Sequence, residues 1–297
     1  MPDGKADTVG SIAVERDEFI RGDIDTNTDT VVEKPLTVVE RLYNVASLRK
    51  IVILAVLAII WQIYSVHLNN PLLVPTFTST IHALYDATVH GELMIQVGYS
   101  IKVLLMGYAA GLLLATILVV VAMTSTIGND LLETLTSMFN PLPAIALLPL
   151  ALIWFGLGNQ SMVFVLIHSV LWSVALNTHS GFQAVSNTLR MVGRNYGLSG
   201  FRYIIKILIP AAFPYILTGL KIGWAFAWRT LIAAELVFGV SSGSGGLGWF
   251  IYENKNELEI PYVFAGLFTV IIIGLAVENL IFRNIERHTV RKWGMQC

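Results

Sequence analysis

Five Lys, Arg, Asp or Glu residues stand at least three positions inside the ends of otherwise apolar stretches of this chain: Lys102, Lys221, Arg229, Glu235 and Glu278. Charges in such surroundings are expensive, and they pair with one another, face a polar interior or mark the path of an ion. Counting residues along each apolar segment places Lys102 level with Glu235 and Lys221 level with Glu278. Two ion pairs are therefore expected, Lys102–Glu235 and Lys221–Glu278, with Arg229 left over nearer the middle. Lys221, Trp228 and Glu235 recur every seven residues, so they share one helix face, drifting by only about 20° per step. Arg229 falls on the adjacent face. Three of the five charges are basic and two acidic, a balance that favours passage of a small anion over a cation. Two readings stay open: the charges lock helices together, or Lys102, Trp228, Arg229 and Glu235 line a translocation path.

Other chemistry finds little support. No G-x-x-x-x-G-K-[ST] phosphate loop occurs. The glycine run "SSGSGGLGW" at 241–249 has no lysine and reads as an external turn before an interfacial helix. His168 and His179 lack a second ligand nearby in sequence, so no metal site is expected. The single cysteine, Cys297, allows no disulfide within the chain. Asn159 and Gln160 read as a tight external turn with a structural role.

The elements that must position these groups are membrane helices. The 297 residues are 55% hydrophobic and 13% charged, about half the charge of a typical soluble domain, with mean hydropathy +0.68. A crossing takes about 20 mostly apolar residues. Six candidates meet that need: 48–67, 97–123, 131–155, 162–176, 211–238 and 263–282, the third interrupted by Pro141, Pro143 and Pro149. The expectation is an all-α integral membrane protein with a six-span domain over 46–288. Residues 1–45 hold ten acidic residues and no apolar leader core, and read as a disordered arm; 289–297 form a tail. With the N-terminus inside, fifteen lysines and arginines fall on the inner side and only Lys255 outside. That asymmetry places both termini in the cytoplasm.

One inner loop, about 186–210, is the most basic interruption of the apolar sequence. It contains "MVGRNYGLSGFRYIIKILIPAAFPYI", from Met191 to Ile216. Its spacing resembles the coupling motif of ABC-importer permeases, the binding-protein-dependent inner-membrane components: E-A-A, three residues, G, nine residues, then I-x-L-P. Gly197, Ile207, Ile209 and Pro210 stand at matching positions, while Met191, Val192 and Gly193 replace E-A-A. "NPLPAIALLPLALIWFGLG", "PAAFPYILTGLKIGWAFAW", "LIAAEL" and "GGLGWFIYE" are similar to the nitrate, sulfonate, taurine and bicarbonate branch, over roughly residues 45–295.

The resemblance implies a type I importer permease fold, like that of methionine-importer permeases, in a bacterial inner membrane. It implies a homodimer, two ATPase subunits that hold ATP and Mg, and a periplasmic or lipid-anchored binding protein. The chain itself would be a non-catalytic transport subunit. Met191, Val192, Gly193, Arg194, Tyr196, Gly197 and Pro210 would couple to the ATPase. Trp249, Phe250, Tyr252 and Lys255 would meet the binding protein, or form an aromatic belt at the membrane interface. The substrate implied is a small oxyanion, taurine or another organosulfonate first; nitrate, bicarbonate or a pyrimidine-type precursor follows. The alternative from another class is a secondary transporter driven by an ion gradient.

Overall fold

The computed structural model describes residues 45–238 and 245–292. The expected N-terminal arm, except Val45, lies outside the described residues, as do 239–244, with the start of the glycine run, and the end of the tail. Contacts divide the chain into Met1–Ala55 and Val56–Cys297, and the packing below lies within the second unit. Among the described residues all regular structure is helical.

Five helical stretches are long and apolar enough to cross a membrane: Ser47–Leu68, Leu93–Thr124, Asn159–Ala184, Ile204–Val237 and Ile260–Arg291. The first belongs to α1 (Ala46–Leu68), whose Ile59, Ile60, Ile63 and Tyr64 are exposed. α2 (Phe77–Val89) is a shorter helix that hydropathy alone does not announce. Thr76 caps it by accepting the Ser79 N–H, and it buries Thr80, Ala83 and Ala87, the i, i+3, i+7 stripe of an amphipathic helix.

The expected third span is not one helix. α4 (Thr126–Phe139) and a second arm, a 3-10 turn Ala144–Leu147 running into α5 (Leu148–Phe155), meet at 88°. Asn140 is still helical, but Pro141 and Pro143 offer no N–H to continue the ladder, and the chain is extended at Pro143 with ψ 122°, so the break falls there. Counted as one broken span, the pair makes six.

α6 (Asn159–Ala184) packs between α3 (Leu93–Thr124) and α9 (Ile209–Phe238). Lipid tails are as apolar as leucine, so close backbone approach and van der Waals contact must hold such helices together. Small residues four apart supply it. A Cβ on Gly107 would lie 2.4 Å from Leu166 Cβ, and one on Gly111 2.7 Å from Val170 Cβ. On α9, Gly219 meets Asn177 and Gly223 meets Val174 in the same manner. Tyr108 adds a hydrogen bond from α3 to α9, its hydroxyl donating to Leu220 O at 2.9 Å.

Pro210 does not begin its helix. The chain is helical from α8 (Gly200–Tyr203) through a π turn at Ile204–Leu208 and on into α9. The wide turn lies where Pro210 withholds an N–H from the carbonyl four residues back.

Candidate functional site

Three polar regions are built on these helices. The first is the short helix α7 (Asn187–Asn195), capped by Ser186. Arg190 ties it to the end of α6, its guanidinium donating to Phe182 O at 2.6 Å and Val185 O at 3.1 Å. These carbonyls end α6, where positive charge is favoured. Gly193 is buried because a Cβ there would lie 2.9 Å from the Tyr203 ring. Gly197 has φ +71°; with Leu198 N–H bonded to Gly193 O and Gly197 N–H to Arg194 O, it closes α7 with a left-handed glycine turn. Leu189, Met191, Val192 and Tyr196 remain exposed, Tyr196 at 82%, as does Arg194. Half-buried Pro210 sits beyond, in α9. The segment expected to couple to an ATPase therefore presents apolar and basic groups on one small helix, held from behind by Gly193 and Arg190.

The second region is the other end of α9. Glu235 is 2% exposed. It accepts Ser100 Oγ–H at 2.7 Å and Gly248 N–H at 2.7 Å, while Ser100 Oγ accepts Leu247 N–H at 2.7 Å. These N–H groups open α10 (Leu247–Asn256) and have no partner within their own helix. A carboxylate on a neighbouring helix thus caps α10, through one direct bond and one relayed by a hydroxyl. The expected Lys102–Glu235 pair does not form, and Lys102 is exposed. Ser100 and Lys102 stand two residues apart, which is about 200° around a helix, so when one faces Glu235 the other faces away. On α10, Trp249 and Tyr252 are half-buried with ring centroids 5.4 Å apart, and Lys255 is exposed. Phe250 is turned inward, 7% exposed and against Gly266, and so offers no surface to a partner. At the opposite end of α9, Lys221 reaches Glu278 Oε1 at 3.9 Å as expected, but its close partner is Glu286, with Oε2 at 2.6 Å.

The third region is a cavity of about 340 Å³ against the helix break. Its walls are the elbow from Asn140 to Ile145, one face of α6 with His168, Ser169 and Trp172, and α9 with Phe226, Arg229 and Thr230. Arg229 is exposed, 5.6 Å from the Phe226 ring centroid, and no carboxylate pairs with it among the described residues. Trp228, its neighbour in sequence, points elsewhere: it is 6% exposed and donates Nε1–H to Val270 O at 3.3 Å, on α11 (Ile260–Ala276). Of the four residues expected along a path, Arg229 alone lines this cavity. The elbow prolines and the α6 residues were not anticipated as its walls, because they lie 25 or more residues apart and only packing joins them.

Residues 107–293 match the family described as binding-protein-dependent transport system inner membrane component. The chain is 31% identical over 248 residues to the nitrate import permease protein of Synechocystis sp., covering 81% of this chain and 88% of that one. It is 27% identical over 240 residues to the taurine transport system permease protein of Escherichia coli, covering 78% and 84%. With its apolar helices and with a match across most of its length, the chain belongs to the binding-protein-dependent transport system inner membrane components, the permease subunits of ABC importers.

Proposed function

We propose that this permease carries a small oxyanion across the membrane, an organosulfonate such as taurine first and nitrate or bicarbonate second. A pyrimidine-type precursor ranks last, since it gives an unpaired cation little to hold. The observation that carries the reading is Arg229: a cation on an apolar helix, exposed beside a cavity, with no carboxylate against it among the described residues. Such a group attracts an anion and repels a cation. The names of the two relatives, a nitrate and a taurine permease, are in keeping with it.

As a member of its family the chain is a multi-pass, non-catalytic transport subunit that works with an ATPase and a binding protein. We place both termini and α7 in the cytoplasm and α10 outside, following the lysine and arginine asymmetry. Two copies with two ATPase subunits would form the importer, with ATP and Mg on the ATPase chains. Leu189, Met191, Val192 and Tyr196 would seat in the ATPase, and Arg194 would meet acidic groups at its rim. Trp249, Tyr252 and Lys255 remain the surface offered to the binding protein. ATP-driven closure would then rock the two permease copies between outward and inward access. The ion-gradient alternative does not survive the family membership.

The test is uptake into proteoliposomes that hold the permease with its ATPase and binding protein, given labelled taurine or nitrate. ATP-dependent accumulation of either, lost in Arg229→Ala, is the expected result. Uptake of neither, or uptake unchanged by Arg229→Ala, would reject the reading.

A further inference from the structure

The cavity at the helix break supports a sharper statement, which rests on the oxyanion reading above. An indole N–H can only donate. Trp172 is 8% exposed and its Nε1 meets no acceptor among the described residues; His168 Nε2 is likewise buried and unpartnered. Buried polar atoms are nearly always satisfied, so an orphan on a side chain that lines a cavity points to a partner taken up there. Both side chains line the cavity that Arg229 also lines. Their rings are held in place by the first arm of the broken helix. Phe139 stacks on Trp172 at 5.4 Å and 11°, and meets the His168 ring edge-on at 6.4 Å. The elbow itself brings Pro141 and Pro143, which have no N–H to offer. Trp172 and His168 on α6 and the unpaired cation Arg229 on α9 therefore border one space, with apolar wall at Phe226 and Ala233.

The complement of that set is an anion with several acceptor oxygens and a short apolar part. The volume, about 340 Å³, equals about eleven waters at roughly 30 Å³ each. A bare four-atom anion would leave most of it empty, whereas a sulfonate with a short carbon chain uses both the donors and the apolar wall. We propose that the cavity is a transit site in which Arg229, Trp172 Nε1–H and His168 grip the oxyanion head of the substrate at the elbow between α4 and α5.

The test extends the proteoliposome assay, with taurine and nitrate run in parallel. Trp172→Phe keeps the stack on Phe139 and removes the donor; uptake of the carried anion should fall about tenfold, as expected for one hydrogen bond to a charged group. Arg229→Gln, on an exposed residue whose change leaves the core intact, should lower it about a hundredfold. Trp224→Phe is the control. That indole Nε1 is also buried without a partner, but it packs against Tyr108 and Phe282 and is not part of the cavity wall, so uptake should match wild type. Thermal unfolding of each purified variant checks folding, and should Trp172→Phe not fold, Arg229→Gln decides. Normal uptake in Trp172→Phe with uptake lost in Arg229→Gln, or an equal fall in Trp172→Phe and Trp224→Phe, would overturn the site while leaving the oxyanion reading standing; normal uptake in both cavity variants would overturn both. A wild-type protein that carries neither anion would overturn both. Taurine carried in preference to nitrate would support the size argument, and the reverse would overturn the organosulfonate assignment.

Discussion

Glu235 and Arg229 stand six residues apart on the same helix, and their surroundings are opposite. Glu235 is enclosed and its oxygens are occupied by Ser100 and Gly248. Arg229 is open to a cavity and shares it with donors that also lack partners. Six residues correspond to about 240° around a helix, so α9 turns the first group into its packing seam and the second away from it. A charge in an apolar helix is therefore not in itself a sign of transport. What separates a structural charge from a functional one is whether the protein has already supplied its complement.

The comparison breaks if Glu235→Ala folds as well as wild type. Removing the carboxylate leaves Gly248 N–H and the Ser100 hydroxyl without their acceptor, at about 1–3 kcal/mol for each buried group, and unseats the start of α10. A fall in Tm of roughly 10 °C, or no folded protein, is expected, whereas Arg229→Ala should melt as wild type does. Gly248→Ala probes the same seam from the other side. Its Cβ would lie 2.6 Å from Glu235 Cβ and 2.7 Å from Ile232 O, and the backbone oxygen cannot swing aside. Overpacking of this kind costs about 1–3 kcal/mol, read as a lower Tm in the purified protein.

Hydropathy is enough to place the crossing helices, because about 20 apolar residues have few other uses, and the motif spacing around Gly197 marked the loop that holds α7. The partners were harder to read, for geometric reasons. Depth along a span pairs Lys102 with Glu235, but depth ignores direction, and the residue that faces Glu235 is Ser100. Trp228 adjoins Arg229 in sequence, yet adjacent helical residues point about 100° apart, and Trp228 is spent on Val270. The glycine pairs 107/111 and 219/223 did carry a legible signal, since small residues four apart mark close helix contact. Read that way, they would have marked the faces by which α3 and α9 pack closely, though not α6 as the helix they pack on. Trp172 and His168 gave no such sign: a buried ring on an apolar helix is ordinary until a cavity is seen beside it.

At the other end of α9, Lys221 gives a milder contrast. Its side chain is 26% exposed, and its partners Glu286 and Glu278 are 19% and 57% exposed. Partly solvated pairs contribute about 0–1 kcal/mol. Glu286→Gln, removing the contact at 2.6 Å, should lower Tm by a small but measurable amount. Glu278→Gln, at 3.9 Å, should leave it unchanged. Equal effects would show that depth, which first singled out Glu278, outweighs distance.

The smallest effect belongs to a carboxylate at the surface, where the contrast with Glu235 is greatest. Asp86 on α2 accepts the Tyr262 hydroxyl at 2.8 Å and faces His90 Nδ1 at 3.2 Å. The Tyr262 hydrogen bond first, and His90 second, hold the Asp86 carboxyl below its ordinary value, which is about 3.9 in an unfolded chain. A carboxyl whose folded pKa is depressed adds stability above its unfolded pKa and loses it as pH falls through the folded one. The loss should thus appear below about pH 4 and be slight, because Asp86 is solvated. Asp86→Asn keeps an acceptor for Tyr262 but cannot titrate. Melting curves between pH 6 and pH 3 should show a slightly steeper acid decline in wild type than in Asp86→Asn. Identical declines would mean that the α2–α11 contact rests on apolar packing, such as Phe77 against Phe268, with the carboxylate contributing nothing.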